Sequence, residues 1–290
     1  MSDRLTGGMA PFNSSVAHPA RVYNFWLGGK DNYPADEEAA RLAAAANPQI
    51  IPAVRANRAF LGRAVRELSR AGIRQFLDIG TGIPAADNTH EVAQRADPGS
   101  RVVYVDNDPV VLAHAQALLV SAPEGATDYL QADLRDVDRI LAEARNTLDL
   151  SRPVGLMLVA ILQYIPDADD PWGIARQLLD ALPAGSYLVL SHPASDIGAD
   201  EVSESMRVYN ERAAEQAAPR RHAEVSRFFE GTRILDPGVV ELPQWRPDAD
   251  TVSEGGPLPM CTSRRPSPAP PRSVRMCPRT PARTRTPSMT

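Results

Sequence analysis

Phe76-Leu77-Asp78-Ile79-Gly80-Thr81-Gly82-Ile83-Pro84 reads as a buried strand that runs into a glycine turn and then toward a helix. Glycines at such a turn allow positive φ and close approach of the backbone to a ligand. A turn of this kind is by itself an ordinary strand-to-helix connection, so its surroundings decide its meaning.

On the amino side, Asn57 to Ala71 carries Phe60, Leu61, Ala64, Val65 and Leu68 at three- and four-residue spacing. That spacing predicts a helix, capped by Asn57 and ended by Gly72, and Asp36 to Ala46 predicts another. On the carboxyl side, short apolar runs alternate with helical stretches. Strands are expected at Gln75 to Asp78, Arg101 to Asp106, Asp128 to Leu130, Val154 to Ile161 and Ser186 to Leu190. Helices are expected at Ala86 to Ala96, Pro109 to Val120, Val137 to Ala144 and Asp170 to Ala181. The alternation predicts an α/β domain with a doubly wound, mostly parallel sheet. Beyond His192 the pattern gives helices from Ala199 to Ala218 and His222 to Glu230. A late strand or strand pair is expected around Pro237-Gly238.

The chain has 290 residues, with 31 Lys and Arg against 36 Asp and Glu. The net charge of −5 is unevenly spread, because residues 251–290 hold seven Arg and one Glu, a net +6, and leave the body at −11. An acidic body repels a phosphate backbone, so nucleic acid is not an expected partner. Both cysteines, Cys261 and Cys277, fall in the tail, so the body has no thiol nucleophile, disulfide framework or thiolate metal site, and no metal is expected. The start has no apolar signal region. The longest apolar stretch, Val154 to Leu162, falls short of the ~20 residues of a membrane span. A soluble, cytoplasmic protein is the expectation. Residues 257–290 hold nine Pro with almost no apolar periodicity, which predicts a disordered tail.

Three acids fall at successive predicted strand ends: Asp78, Asp106 in Asp106-Asn107-Asp108, and Asp133 in Asp133-Leu134. Each alone reads as a helix cap or a turn acid. Together they lie at the carboxyl edge where open α/β sheets bind ligands. Asp106 can accept hydrogen bonds from the hydroxyls of an adenosine ribose. Asp133 can accept from the adenine amine while a neighbouring backbone N–H, such as that of Leu134, donates to the ring. A dinucleotide would set a pyrophosphate against Gly80-Thr81-Gly82, beside the Asp78 carboxylate. A ligand with an ammonium and a sulfonium suits that carboxylate better, which points to S-adenosylmethionine.

With these residues in place, the chain resembles the class I S-adenosylmethionine-dependent methyltransferases. It is more closely similar to an actinobacterial S-adenosyl methyltransferase family formerly of unknown function. The matching stretches are His18-Pro19-Ala20-Arg21-Val22-Tyr23-Asn24-Phe25-Trp26-Leu27-Gly28-Gly29-Lys30-Asp31-Asn32-Tyr33, Phe76 to Gly82, Val103 to Pro109, and Ala181 to His192, within residues 15–248. The resemblance implies a Rossmann-like seven-stranded methyltransferase sheet, Gly80 and Gly82 at the methionine end, Asp106 on the ribose and Asp133 near the adenine. It also leads one to expect a His after the fourth strand, where this chain has Gln163, and a closing strand where this chain turns to Pro and Arg. The final strand is therefore expected to be missing, with a frameshift as the account of the tail.

The aromatic stretch before Gly28-Gly29 is a candidate lid, with Arg21 or Lys30 facing the methionine carboxylate and Tyr23 or Trp26 shielding the methyl group. A sulfonium cofactor brings an activated methyl, so the protein needs mainly to orient the reactants. His192 and Tyr164 are the candidates for proton transfer to or from an acceptor. The expected organisation is a lid and helix over 1–56, a cofactor-binding methyltransferase domain over 57–250, and a tail over 251–290. The expected function is methyl transfer to a small-molecule acceptor. The competing readings are a non-catalytic S-adenosylmethionine or nucleotide module and an NAD-dependent oxidoreductase, the latter disfavoured by Asp78 and by the absence of a Ser/Tyr/Lys set.

Overall fold

Side chains alternate across a strand, so a sheet covered on both faces needs apolar residues at every position. The central strands come close to that requirement, with Gln75, Asp78 and Ser191 as polar exceptions. A computed structural model describes residues 13–118 and 121–248, together with the backbone of 259–264. Five parallel strands, β1 (Gln75–Ile79), β2 (Arg101–Asp106), β3 (Ala126–Gln131), β4 (Gly155–Val159) and β5 (Tyr187–Ser191), lie in the order β3-β2-β1-β4-β5. Every residue of β1, β4 and β5 is buried. Leu77, Ile79, Val103, Val105, Leu156 and Leu158 project to one face, against α6 (Val137–Ala144) and α7 (Pro171–Asp180). Phe76, Val102, Tyr104, Met157 and Val189 project to the other, against α3 (Ile50–Arg70) and α4 (Thr89–Ala96). α5 (Pro109–Leu118) follows β2 and packs on β2 and β3.

The N-terminal segment is helical and forms its own layer. In α1 (Pro19–Trp26), proline in the first turn removes an N–H that would have no partner there. α2 (Pro34–Ala46) presents Ala39, Ala40 and Ala43, all fully buried, and these small residues let α8 (Ala199–Asn210) approach closely. Ser205 Oγ of α8 donates to the Ala43 carbonyl at 3.0 Å. Gly28-Gly29 turns the chain between α1 and α2. Gly28 has φ +82°, and a Cβ on Gly29 would sit 2.3 Å from the Asn24 amide.

Several boundaries differ from the sequence reading. α3 begins at Ile50, with Pro52 in its first turn, so Asn57 is a mid-helix residue and a division at 56/57 would cut the helix. α4 begins only at Thr89, because Asn88 and Glu91 form a reciprocal capping box. α8 stops at Asn210. Its side-chain amide pairs both ways with the backbone of Ala217, at 2.7 and 2.9 Å, and folds 211–217 back over the helix despite their helical propensity. The second late helix is a short α9 (His222–Ser226), followed by a 3-10 turn.

The larger correction concerns the final strand. Residues Pro259–Arg264, placed in the disordered tail by their composition, form an antiparallel strand against β5, with Tyr187 opposite Arg264 and Ser191 opposite Met260. In chain order this is β8, after the two-residue strands β6 (Arg233–Ile234) and β7 (Val240–Glu241), and both of those pair with it. The edge of β5 would otherwise leave backbone groups unpaired, and proline is tolerated as the first residue of a strand. Six residues that begin with a proline are enough to satisfy that edge. The rest of the proposed tail lies outside the described residues.

Just before this strand, Trp245 is fully buried and meets Phe60 edge-on with ring centroids 5.2 Å apart. Arg63, buried on α3, donates to the Trp245 and Leu242 carbonyls at 3.1 and 2.7 Å. These contacts carry the chain across the face of α3 toward the edge of β5. Truncation after Asp248 removes β8, so it should lower the urea midpoint of unfolding and produce concentration-dependent association through the bared edge of β5. Equilibrium unfolding with light scattering on the truncated and full chains checks this. An unchanged midpoint would mean that β8 contributes nothing to the sheet.

Candidate active site

The sheet order reverses between β1 and β4, and that crevice is where the carboxyl ends of the strands can admit a ligand. A cavity open to solvent lies there. Its wall includes Asp78, Gly80, Thr81, Gly82, Asp106, Asn107, Asp133 and Leu134, so the structure brings the strand-end residues of the sequence reading around one space.

The glycine turn is held from below. Gly80 N–H donates to the Val105 carbonyl at 2.8 Å, Gly80 has φ +77° and Gly82 has φ +68°. A Cβ on Gly80 would lie 2.5 Å from Ile161 Cγ1, so the turn fits against the chain after β4 only with glycine there. Asp106 fixes the other end. Its Oδ2 accepts from Gly82 N–H at 2.8 Å and its Oδ1 from Asp108 N–H at 3.0 Å.

Burial pushes the Asp106 carboxyl up to about 6, with the two N–H donors opposing the shift. Asp78 is pushed up to about 6 for the same reason, opposed by the Thr89 hydroxyl, which donates to Asp78 Oδ2 at 2.5 Å, and by Arg58. Asp133 is different. It is partly exposed and accepts from Arg135 N–H at 2.8 Å and from Arg135 Nη1 at 3.0 Å.

The N-terminal candidates divide. Tyr23 lines the cavity, but Arg21 and Lys30 do not. Arg21 is drawn away by buried acids, with Nε 3.3 Å from Asp108 Oδ2 and Nη1 3.6 Å from Asp36 Oδ2, and Lys30 is exposed. Two arginines do line the cavity: Arg135, which is engaged with Asp133 and Asp169, and Arg58, which the helical periodicity did not mark. Arg58 is held by the Ala86 carbonyl and by Asn88 Oδ1, both within 3.2 Å. Trp26 is also misplaced by the lid reading, because its indole N–H donates to the Ala40 carbonyl at 3.0 Å, away from this cavity. Sequence reasoning also missed Asn57, read as a cap, and Glu215, which lines the cavity with its carboxyl pushed up by burial. His18 lines it too, and stood in plain view at the start of the matching N-terminal stretch.

Of the two proton-transfer candidates, His192 is excluded by its partners. Its Nδ1 faces the Pro193 carbonyl at 2.9 Å and its Nε2 faces Arg220 Nη1 at 2.8 Å, so Nδ1 donates, Nε2 accepts, and neither nitrogen is left for a substrate. Burial first, and Arg220 second, lower it to about 3. Tyr164 does line the cavity, but burial raises its hydroxyl to about 12, so it keeps its proton near neutrality and acts as a hydrogen-bonding group rather than a base.

With this geometry established, the chain matches an S-adenosyl methyltransferase family model over residues 7–263. The chain belongs to the S-adenosyl methyltransferase family. The family match runs into β8, so the departure read into the tail does not begin at residue 250. A crystal structure of a DUF574 family protein from Streptomyces avermitilis is 46% identical, covering 87% of this chain and 99% of that one with a TM-score of 0.84. Another, of a Thermobifida fusca protein proposed to be a methyltransferase, is 40% identical, covering 87% and 96% with a TM-score of 0.79. No protein of curated function matches the chain. The enzyme is thus a methyltransferase with a Rossmann-like fold, and among the described residues no helix is long and apolar enough to cross a membrane.

Asp78 and Asp106 hold their protons more tightly in the folded enzyme than in the unfolded chain. Their contribution to stability is therefore full below the ordinary carboxylate value of 3.8 and is lost as pH rises through about 6. Replacing either by Asn should flatten the ligand-free stability profile between about pH 4 and 7 by roughly 2–3 kcal/mol. Urea unfolding across that range measures it, and parallel profiles for variant and parent would show that the carboxylates ionise normally.

Proposed function

We propose that this methyltransferase binds S-adenosylmethionine in the cavity at the ends of β1, β2 and β4 and alkylates a small-molecule acceptor. The observation that carries the reading is Asp106, held by the N–H groups of Gly82 and Asp108 in a cavity that also presents Asp78 and Asp133. The donor set fits the group. Carboxylates at three strand ends suit ribose hydroxyls, an adenine amine and a cationic methionine end, and they repel a pyrophosphate.

Each oxygen of Asp106 keeps a lone pair beyond its backbone donor, and these are the acceptors for the ribose. Asp133 and Leu134 face the adenine, with Arg135 competing for the Asp133 carboxylate. The Gly80 turn and Asp78 take the ammonium end, and Arg58 replaces Arg21 and Lys30 as the cation for the methionine carboxylate. Bound there, S-adenosylmethionine supplies a methyl group already activated by its sulfonium. Tyr23 and Tyr164 exclude water at the inner end, and Tyr164, protonated, can donate to an acceptor oxygen.

Asp106→Ala should weaken S-adenosylmethionine binding by about 1–3 kcal/mol, the usual result of stranding buried hydrogen-bonding groups. In the parent, affinity should rise from about pH 5 to 7.5 as both buried carboxylates ionise toward a cationic ligand. Calorimetric titration with S-adenosylmethionine, S-adenosylhomocysteine and NAD tests both points. Tight binding of NAD alone, or an Asp106→Ala variant of unchanged affinity, would sink the reading.

A further inference from the structure

A second cavity adjoins the first and shares Tyr23, Asn57, Ala160 and Tyr164 with it. α3 contributes Ile50, Ala53 and Val54, α8 contributes Val202, Met206 and Tyr209, and the end of β5 contributes Ser191 and His192. Its chemistry is unlike that of its neighbour. Among the described residues no Asp, Glu, Lys or Arg lines it, and its histidine is neutral, with both nitrogens engaged.

Most polar groups in this wall are satisfied by the protein. Trp26 N–H and Ser205 Oγ donate to α2 carbonyls at 3.0 Å, and Asn47 Oδ1 accepts from Gln49 N–H at 3.0 Å. Four are not: Asn57 Oδ1, Gln163 Oε1, Ser191 Oγ and Tyr209 OH have no partner at hydrogen-bonding geometry, although the last three residues are at least 94% buried and Asn57 is 3% exposed. The Gln163 and Tyr209 side chains engage the Tyr164 hydroxyl, but at a geometry too poor to satisfy Gln163 Oε1 and Tyr209 OH. The amide nitrogens of Asn57 and Gln163 are already spent, on Tyr23 OH at 2.9 Å and the Ala160 carbonyl at 2.8 Å. The oxygens that remain can only accept. Buried polar groups are normally paired, so Asn57 Oδ1 and Ser191 Oγ without partners, beside Gln163 Oε1 and Tyr209 OH only poorly engaged, mark a place in this apolar cavity where a ligand completes the set.

Resting on the methyltransferase reading above, we propose that this second cavity is the acceptor site and takes an uncharged, largely apolar ring compound whose hydrogen-bond donors meet Asn57 Oδ1 and Gln163 Oε1. A carboxylate, phosphate or ammonium in the same place would be an unpaired buried ion, so the site selects against charged acceptors. The shared wall sets the bound ring beside the methionine end of the first cavity.

The test uses the full chain and three probes of one ring: 2-naphthol, uncharged at neutral pH, its anionic counterpart 2-naphthoate, and naphthalene. Each is titrated by ligand-observed NMR with and without S-adenosylhomocysteine. Naphthol should bind at least about 10-fold more tightly than naphthoate. Ala53→Phe, which fills the second cavity only, should weaken naphthol about 10-fold and leave S-adenosylhomocysteine affinity within about 2-fold. Gln163→Met, a milder change that removes the acceptor oxygen, should weaken naphthol about 5-fold and spare naphthalene. Equal binding of naphthol and naphthoate, or naphthol binding indifferent to both variants, overturns the proposal. Should Ala53→Phe fail to fold, Gln163→Met decides alone. Loss of S-adenosylhomocysteine binding in the parent counts against the cofactor reading, since naphthol is also measured without it.

Discussion

Two carboxylates at the end of one strand organise both walls of the site. Asp106 points to the glycine turn and Asp108 to the N-terminal layer, where its Oδ2 lies 3.1 Å from His18 Nδ1 and 3.3 Å from Arg21 Nε. Arg21 continues to Asp36, which in turn accepts the His18 and Tyr33 N–H groups at 2.9 Å each. Every carboxylate in this chain of contacts is buried, and desolvating ions costs several kcal/mol each unless partners are in place. Few arrangements of α1 and α2 satisfy that condition. The same requirement that fixes the turn therefore fixes the helices that roof it.

The two cavities differ in charge because their supports differ. Around the first, strand ends deliver acids to backbone N–H donors and to Arg58. Around the second, the corresponding cation is withdrawn behind the wall. Arg220, itself buried, is held by the Leu162 and Ile165 carbonyls and Asp167 within 3.1 Å, and its guanidinium lies 5.1 Å from the Trp172 ring. It turns the chain after β4 and, added to burial, keeps His192 neutral, so the cavity beside it stays apolar.

What was legible in the sequence was what local pattern encodes. The five parallel strands follow from buried runs, and Gly80, Gly82, Asp78, Asp106 and Asp133 follow from their positions at strand ends. Arg58 and Asn57 were not legible, since a helix shows which face is apolar but not which polar residue overlooks a cavity. Arg21 was misread because its partners, Asp36 and Asp108, are 15 and 87 residues away, and nothing local says that a cation will be claimed by a distant buried acid. β8 was hidden for the opposite reason. Its composition argues against a strand, and only the unsatisfied edge of β5 argues for one.

That edge has a consequence for how the protein is made. β8 lies between β5 and the short β6 and β7, yet it is synthesised after all three. Until residues 259–264 arrive, the chain carries an open β5 flank and two small strands with nothing to join. The sheet is closed by a late insertion between neighbours, not by growth at a margin. Until that insertion, one side of the sheet stays open to pairing with another copy of the chain.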